Sequence, residues 1–136
     1  MTGATVLRVA ILTGSYPPDP CGVGDYASHL VQHLAAREGL AIEAWVGTAW
    51  PGAPDPRIRP VLDPSWWKTF RNLSSALRAF RPHVIHIQYP TQGYGRRFLP
   101  WILPLLLRLS GVRIVAPWHE YFGEWLPRAL PSAMVA

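Results

Sequence analysis

The sequence predicts an α/β protein with a Rossmann-like parallel sheet flanked by helices, and two observations carry that prediction. Short apolar runs alternate with stretches of helical periodicity, as they do where parallel strands are joined by helices. Several of these runs are apolar on consecutive residues, which is typical of strands buried on both faces. With 136 residues, 49% of them hydrophobic, the chain has the size and apolar content of one folded domain over residues 1–136.

Five apolar runs are the predicted strands: Val6 to Leu12, Ala41 to Val46, Ile58 to Leu62, Val84 to Gln88 and Val112 to Ala116. The proline-rich stretch from Trp50 to Pro64 has little periodicity, so we expect it to be a connection that holds no more than one short strand.

Helical periodicity predicts a first helix from Asp25 to Glu38, with apolar residues four positions apart and Gly39 as its stop signal. A second helix is predicted from Ser65 to Phe80. Ser65 is its expected amino-terminal cap and Arg81-Pro82 its terminator.

The segment from Phe98 to Leu107 is apolar or proline throughout and has arginines at both flanks. It is too short to span a bilayer, which takes about 20 residues. A core-facing crossover helix, bent or shortened by Pro100 and Pro104, is the first interpretation. Peripheral docking on a membrane is the alternative, because Trp101 and the flanking arginines suit a headgroup region.

Composition limits the location and the partners. The single cysteine, Cys21, excludes an intrachain disulfide, so we expect a cytoplasmic protein, with the inner face of the membrane as its peripheral contact under the docking alternative. The net charge of +5 favours an anionic partner. Because the arginines are scattered from Arg8 to Arg128 instead of forming one patch, we do not expect nucleic acid to be that partner.

A long loop follows the first predicted strand and ends in Gly22, Val23 and Gly24, just before the first helix. Glycines let a phosphate approach the backbone closely, and a helix amino terminus offers unpaired N–H groups and the positive end of its dipole. These residues therefore predict a phosphate site. The alternative is that the glycines only permit a tight turn, because so short a motif needs structural context.

The pattern Gly22-x-Gly24-x-x-Ala27 also fits the fingerprint of dinucleotide-binding oxidoreductases, which are a further alternative. Two departures weigh against them. Nine residues, 13–21, separate the glycines from the strand, whereas the fingerprint places them directly after it. In addition, Glu43 lies inside the second strand, whereas ribose binding needs an acidic residue at its end.

Asp25, His29 and His33 are spaced four apart and would share one helix face, as zinc ligands can. We expect no metal there, because a zinc site also needs a fourth ligand and a second shell that the sequence does not supply.

Residues after the fourth and fifth strands complete the candidate site. Ligands of open parallel sheets bind beyond the carboxyl ends of the strands, where the sequence places Gln88-Tyr89 and His119-Glu120. A histidine beside a carboxylate at the mouth of a phosphate-binding crevice can orient a hydroxyl or move a proton. His119 and Glu120 are therefore the leading pair, and the alternative is that His119 only caps its strand.

These segments together resemble the amino-terminal domain of family 4 of the retaining GT-B glycosyltransferases. The resemblance extends from Val6 to about Trp125 and rests on segments in that family's order: Ser15-Tyr16-Pro17-Pro18, Gly22-Val23-Gly24-Asp25-Tyr26, Pro82-His83-Val84-Ile85-His86-Ile87-Gln88-Tyr89 and His119-Glu120.

The resemblance implies a domain that mostly binds the acceptor, a glycan or a lipid-linked molecule, and closes over a nucleotide sugar held chiefly by a second domain. The sugar would pass to an acceptor hydroxyl with retention at the anomeric carbon, without a metal or other cofactor. By the same resemblance, the Gly22 to Gly24 segment would meet the donor phosphates and His119 the transferred sugar. Acceptor binding would fall to Asp25, Tyr26, Gln88, Tyr89 and Glu120.

The chain lacks the second domain of that family, whose paired glutamates and preceding basic residues bind the donor diphosphate. We therefore expect this half to be truncated or to be completed by a separate carboxy-terminal chain, and to be inactive alone. The alternative from another class is a module that binds a glycan, a lipid or a partner protein without turnover.

Overall fold

The computed structural model describes residues 6–88, 104–105 and 107–117, and within them five parallel strands form one sheet. The strands are β1 (Leu7–Leu12), β2 (Leu40–Gly47), β3 (Ile58–Leu62), β4 (Val84–Ile87) and β5 (Arg113–Val115), in the order β3-β2-β1-β4-β5. The α/β, Rossmann-like fold class is therefore confirmed. Every predicted strand is present, with each end within one residue of its predicted position.

Helix α1 (Gly22–Ala35) begins and ends three residues earlier than predicted. Its last turn closes with the Ala36 N–H donating to the carbonyl oxygen of Gln32. Gly39 has a φ of +76° and its carbonyl oxygen accepts from the N–H of Leu7, so it turns the chain into β2. Helix α1 has already ended at Ala35, and Gly39 stands directly before β2. Gly39 therefore marks the entry into the strand and not the end of the helix.

The hydrogen bonds at the start of helix α2 (Trp66–Phe80) differ from those predicted. Ser65 occupies the cap position, but its side chain makes no capping hydrogen bond. Instead the Ser65 N–H donates to Oδ1 of Asp63 at 2.8 Å, and the buried Thr69 hydroxyl donates to the Asp63 carbonyl oxygen at 2.9 Å. The predicted terminator is confirmed, since Arg81 is the left-handed C-cap with φ 50° and Pro82 follows it.

Part of the predicted crossover helix is described, and Pro104, Leu105, Leu107 and Arg108 are helical. Leu107 is buried in the core, whereas Leu105 is exposed. Trp101 and the rest of this segment lie outside the described residues, so membrane docking of the segment stays a prediction.

The two faces of the sheet support two separate layers of core. Because successive strand residues point to opposite faces, Leu12 and Trp45 pack towards α2 whereas Ile11 and Ala44 pack towards α1. The layer on the α2 side comprises Ala10, Leu12, Trp45, Val61, Leu62, Leu73, Ala76, Ile85, Ile87 and Leu107. The layer on the α1 side comprises Ile11, Tyr16, Ala27, Val31, Ile42, Ala44 and Val46.

A polar cluster is built into the middle of β2. The carboxylate of Glu43, nearly buried, accepts two hydrogen bonds from Arg59 at 2.7 and 2.8 Å and one from the indole N–H of Trp45 at 2.9 Å. Trp45 itself is fully buried. The ion pair therefore joins β2 to β3 and satisfies the polar atom of the largest residue in the core.

We expect Glu43→Ala to lower the free energy of unfolding by about 3 kcal/mol, because it leaves the Arg59 guanidinium and the Trp45 N–H without their acceptor. Asp55→Ala is the matched control, since it breaks the more exposed Arg57–Asp55 pair and should cost much less. Urea-induced unfolding of both variants measures the difference. Equal losses would contradict a structural role for the buried pair.

Candidate functional site

The strand order predicts a crevice at the carboxyl end of β1. The chain leaves β1 through α1 towards β2 on one side, while β4 and β5 lie on the other side. This reversal between β1 and β4 is the switch point at which open α/β sheets bind ligands. In register, Leu12 stands beside Trp45 on one flank and beside Ile87 on the other, so the residues that follow all three strands meet at this edge.

The loop after β1 is held in place by several hydrogen bonds. Thr13 is fully buried, its N–H donates to the carbonyl oxygen of Trp45 at 3.0 Å, and its hydroxyl donates to the carbonyl oxygen of Ser15 at 2.7 Å. Farther along, the carbonyl oxygen of Pro17 accepts from the indole N–H of Trp50 at 2.7 Å. The loop is therefore fixed to β2 and to the segment after β2, and it brings the chain to α1 in one position.

Gly22, Val23 and Gly24 form the first turn of α1, which corrects the prediction that they lie in the loop before it. The first backbone bond of the helix runs from the N–H of Asp25 to the carbonyl oxygen of Cys21 at 2.9 Å. The N–H groups that precede Asp25 have no intrahelical acceptor, because the first turn of any helix lacks them. The phosphate-binding interpretation survives this shift, since it depends on these N–H groups and not on a glycine loop.

The space around Gly24 differs from the space around Gly22. A Cβ on Gly24 would lie 3.1 Å from the backbone of Ser15 and Tyr16, so α1 packs directly on the loop there. A Cβ on Gly22 would meet nothing within 4 Å. Close packing thus explains Gly24 without any ligand, whereas the space at Gly22 leaves the start of the helix open.

Gln88 lies directly after β4, and its N–H donates to the carbonyl oxygen of Leu12 at 2.9 Å. This bond continues the pairing of β4 with β1 to the start of the loop at Thr13. Its side chain is 0% exposed. Gln88 is therefore buried at the carboxyl end of β4, and contact with an acceptor would require the residues that cover it to move.

The predicted acceptor residues on α1 are accessible. Asp25 is exposed and Tyr26 is 46% exposed, both at the end of the helix nearest the crevice. Three other predicted site residues, Tyr89, His119 and Glu120, lie outside the described residues. β5 ends at Val115 on the same edge of the sheet, so the chain runs on from that edge.

Cys21, which entered the sequence analysis only as the single cysteine, lies at the candidate site. It is half-buried at the N-cap of α1, and the N–H of Gly24 lowers the pKa of its thiol, helped by the Ser15 side chain and the N–H of Val23. Burial and the Asp25 carboxylate oppose this shift. The helix start therefore favours a negative charge at the position where the phosphate is predicted.

A second small crevice opens beside the first helix. It has a volume of about 270 Å³, and its lining includes Tyr16, Ser28, Gln32, Trp50 and Arg57. Burial raises the pKa of the Tyr16 hydroxyl, which stays protonated and packs edge-on against Trp50 with ring centroids 6.2 Å apart. The sequence pointed to Tyr16 through the resemblance, but Trp50 and Arg57 come from the proline-rich connection and gave no signal.

Two alternative sites can be compared with the geometry. Glu43 lies in the middle of β2, where it pairs with Arg59, and β2 ends at Gly47, so Glu43 is not at the position that holds a ribose in dinucleotide enzymes. Nδ1 of His33 bonds to the carbonyl oxygen of His29 at 2.7 Å. Within the described ranges, no group of three histidine, cysteine or acidic side chains could hold a metal ion.

A scan against protein-family models and searches of curated proteins and of solved structures found no match to this chain. In the part of the chain that the structure describes, no helix is long and apolar enough to cross a bilayer. The site is therefore interpreted from its own geometry and from the motifs in the sequence.

We expect Gly24→Ala to lower the free energy of unfolding by about 1 kcal/mol, because its Cβ would press on the Ser15 backbone. Gly22→Ala is the matched control in the same helical turn. It should be neutral or stabilise by up to about 1 kcal/mol, since alanine is the better helix former and has room. Thermal and urea unfolding would contradict this packing explanation if both substitutions had the same effect.

We also expect Cys21 to react with iodoacetamide at lower pH than an ordinary thiol. Its pKa is lowered from 9.0, so the folded state is stabilised by the thiolate above the ordinary pKa and loses that contribution as pH falls through the lowered one. The rate-versus-pH midpoint should lie below that of the chain unfolded in urea. Asp25→Asn should lower it further, and a folded midpoint equal to the unfolded one would refute the effect.

Proposed function

We propose that this chain is the acceptor-side half of a retaining glycosyltransferase that uses a nucleotide-sugar donor. The observation that supports it most directly is the start of α1: an open turn whose backbone N–H groups and dipole favour a negative charge, set at the switch point between β1 and β4. Of the segments that carry the glycosyltransferase resemblance, those at Ser15, at Gly22 to Tyr26 and at Gln88 follow strands at this edge, which supports the proposal.

The chemistry of sugar transfer needs such a site. The bond between the anomeric carbon and the diphosphate oxygen breaks, and a bond to the acceptor oxygen forms, while the proton of the acceptor hydroxyl passes to an oxygen of the departing diphosphate. Positive charge develops on the sugar and negative charge on the departing diphosphate. Backbone N–H groups fixed at a helix start stabilise that negative charge without having to reorganise.

In this proposal the Gly22–Gly24 turn meets the diphosphate, and His119 contacts the transferred sugar. Asp25 and Tyr26, which are exposed beside the turn, contact the acceptor together with Gln88, Tyr89 and Glu120. The acceptor is a glycan or a lipid-linked molecule. A second, donor-binding domain, in the same polypeptide or a separate one, holds most of the nucleotide and is required for turnover.

The oxidoreductase alternative requires a residue at the end of β2 that the proposed transferase does not. It would need an acidic side chain at the end of that strand for the ribose, and Glu43 is held in mid-strand by Arg59 and Trp45. The geometry of β2 therefore favours a nucleoside diphosphate over a nicotinamide dinucleotide as the ligand.

We expect millimolar uridine or guanosine diphosphate to shift the amide resonances of Gly22, Val23 and Gly24 and to slow alkylation of Cys21, because the phosphate would occupy the helix start. Gly24→Val should weaken this binding roughly tenfold by displacing the helix end from the loop. The measurements are proton–nitrogen correlation spectra and alkylation rates of the 136-residue chain.

Gly47→Val is the matched control, since a Cβ there meets only the Leu62 carbonyl oxygen at 3.8 Å and the residue ends a neighbouring strand. Its affinity should equal that of the unsubstituted chain. Shifts caused by a nicotinamide dinucleotide but by neither diphosphate would overturn the proposal in favour of the oxidoreductase. Transfer of a labelled sugar on addition of a donor-binding domain tests the catalytic part.

A further inference from the structure

The outer face of α2 carries aromatic side chains where a solvent-facing helix ordinarily carries polar ones. Trp66 and Trp67 are each 64% exposed, and Phe70 is 45% exposed. The Trp66 and Trp67 rings stack with centroids 4.5 Å apart, and the Phe70 ring lies 6.0 Å from that of Trp67. Contiguous exposed aromatic rings of this kind mark an interaction surface, whereas single exposed apolar residues do not.

This aromatic cluster does not face the sheet. The buried residues of α2 are Thr69, Leu73 and Ala76, and they define the side that packs on the core. A second stripe follows the spacing i, i+3, i+4, i+7 and i+11 on another side of the helix: Trp67, Phe70, Arg71, Ser74 and Arg78. One side of α2 therefore packs on the core, and a separate outer side presents aromatic and polar residues to solvent.

The outer surface is basic as well as aromatic. Between Trp66 and Phe80 the helix contains Lys68, Arg71 and Arg78 and no acidic residue. These three side chains line an open depression of about 640 Å³ together with Trp67 and Phe70.

Their charges are not neutralised by the ion pairs that the described residues form, which are Arg57–Asp55 and Arg59–Glu43. The acidic residue just before the helix, Asp63, accepts from the Thr48 hydroxyl and the Ser65 N–H. Positive charge on the outer face of α2 is thus left for an external anion.

We propose that this face of α2, from Trp66 to Arg78, docks on the surface of a membrane that contains anionic lipids. Tryptophan rings are at their most favourable at the level of the headgroups, and nearby lysines and arginines are attracted by the lipid phosphates. A helix that lies in the interface presents an apolar stripe bordered by cations, as α2 does. Single-stranded nucleic acid is disfavoured, because the Trp66–Trp67 stack covers ring faces on which bases would stack.

The docking surface lies close to the candidate site. β3 ends at Leu62 and α2 begins at Trp66, so the aromatic end of the helix is at the carboxyl edge of the sheet. The switch point between β1 and β4, where the crevice is predicted, lies at the same edge. Docking through Trp66 and Trp67 would bring that edge towards the lipid surface. The inference does not depend on the proposed transferase activity, since lipid binding requires no donor.

The test is co-sedimentation of the 136-residue chain with vesicles of phosphatidylcholine, with and without about 30% phosphatidylserine. We expect binding only to the anionic vesicles. The triple variant Lys68→Gln, Arg71→Gln, Arg78→Gln should lower the partition coefficient on the order of 100-fold. Trp66→Ala with Trp67→Ala should lower it on the order of tenfold. All these side chains are exposed, so circular dichroism should show an unchanged fold.

The matched control is Arg37→Gln, Arg57→Gln, Arg113→Gln, which removes the same charge from exposed positions elsewhere. It should retain most of the binding. An equal loss in both triple variants, equal binding to neutral vesicles, or tighter binding to a single-stranded RNA than to anionic vesicles at the same salt would each overturn the proposal. The Lys68, Arg71, Arg78 variant should still bind the diphosphate. Loss of lipid binding in this variant therefore tests the docking surface independently of the proposed function.

Discussion

The pairing of β1 on both of its edges is the constraint on which the rest of the structure depends. Parallel hydrogen bonds to β2 on one side and to β4 on the other fix where β1 ends, and the N–H groups of Thr13 and Gln88 extend that pairing past the last strand residues. Two core layers hold this central strand from both faces. The fixed end of β1 determines the position of the loop, of the start of α1 and of the predicted crevice.

The electrostatics of the crevice arise from the backbone as much as from side chains. Gly24 packs on the Ser15 backbone and sets the helix end against the loop, so the first N–H groups and the dipole of α1 point to a fixed place. The N–H of Gly24 lowers the pKa of the Cys21 thiol, whereas burial and the Asp25 carboxylate raise it. A site of this kind suits a ligand that brings its own negative charge.

The two sides of helix α2 have different roles. One side of α2 completes the core through Leu73 and Ala76, and Thr69 fixes its entry through the Asp63 backbone. The side with Trp67 and Arg71 contributes nothing to that core and remains exposed. A helix can support both surfaces because its buried stripe occupies only part of its circumference. The proposed lipid contact would link the position of the crevice to a surface that the chain can bind.

The sequence by itself determined the strands, since runs such as the one ending at Leu12 are apolar on consecutive residues, as is typical of strands buried on both faces. It also placed Gln88 directly after the fourth strand and Gly24 beside the start of the first helix, and these lie at one edge because parallel strands bring their carboxyl ends together. Only the tertiary structure decided where α1 begins, why Gly24 is small, and that Asp63, in place of the Ser65 side chain, accepts the hydrogen bonds at the start of α2. Those outcomes depend on contacts between segments distant in sequence or on the choice between competing local hydrogen bonds, which residue patterns along the chain do not encode.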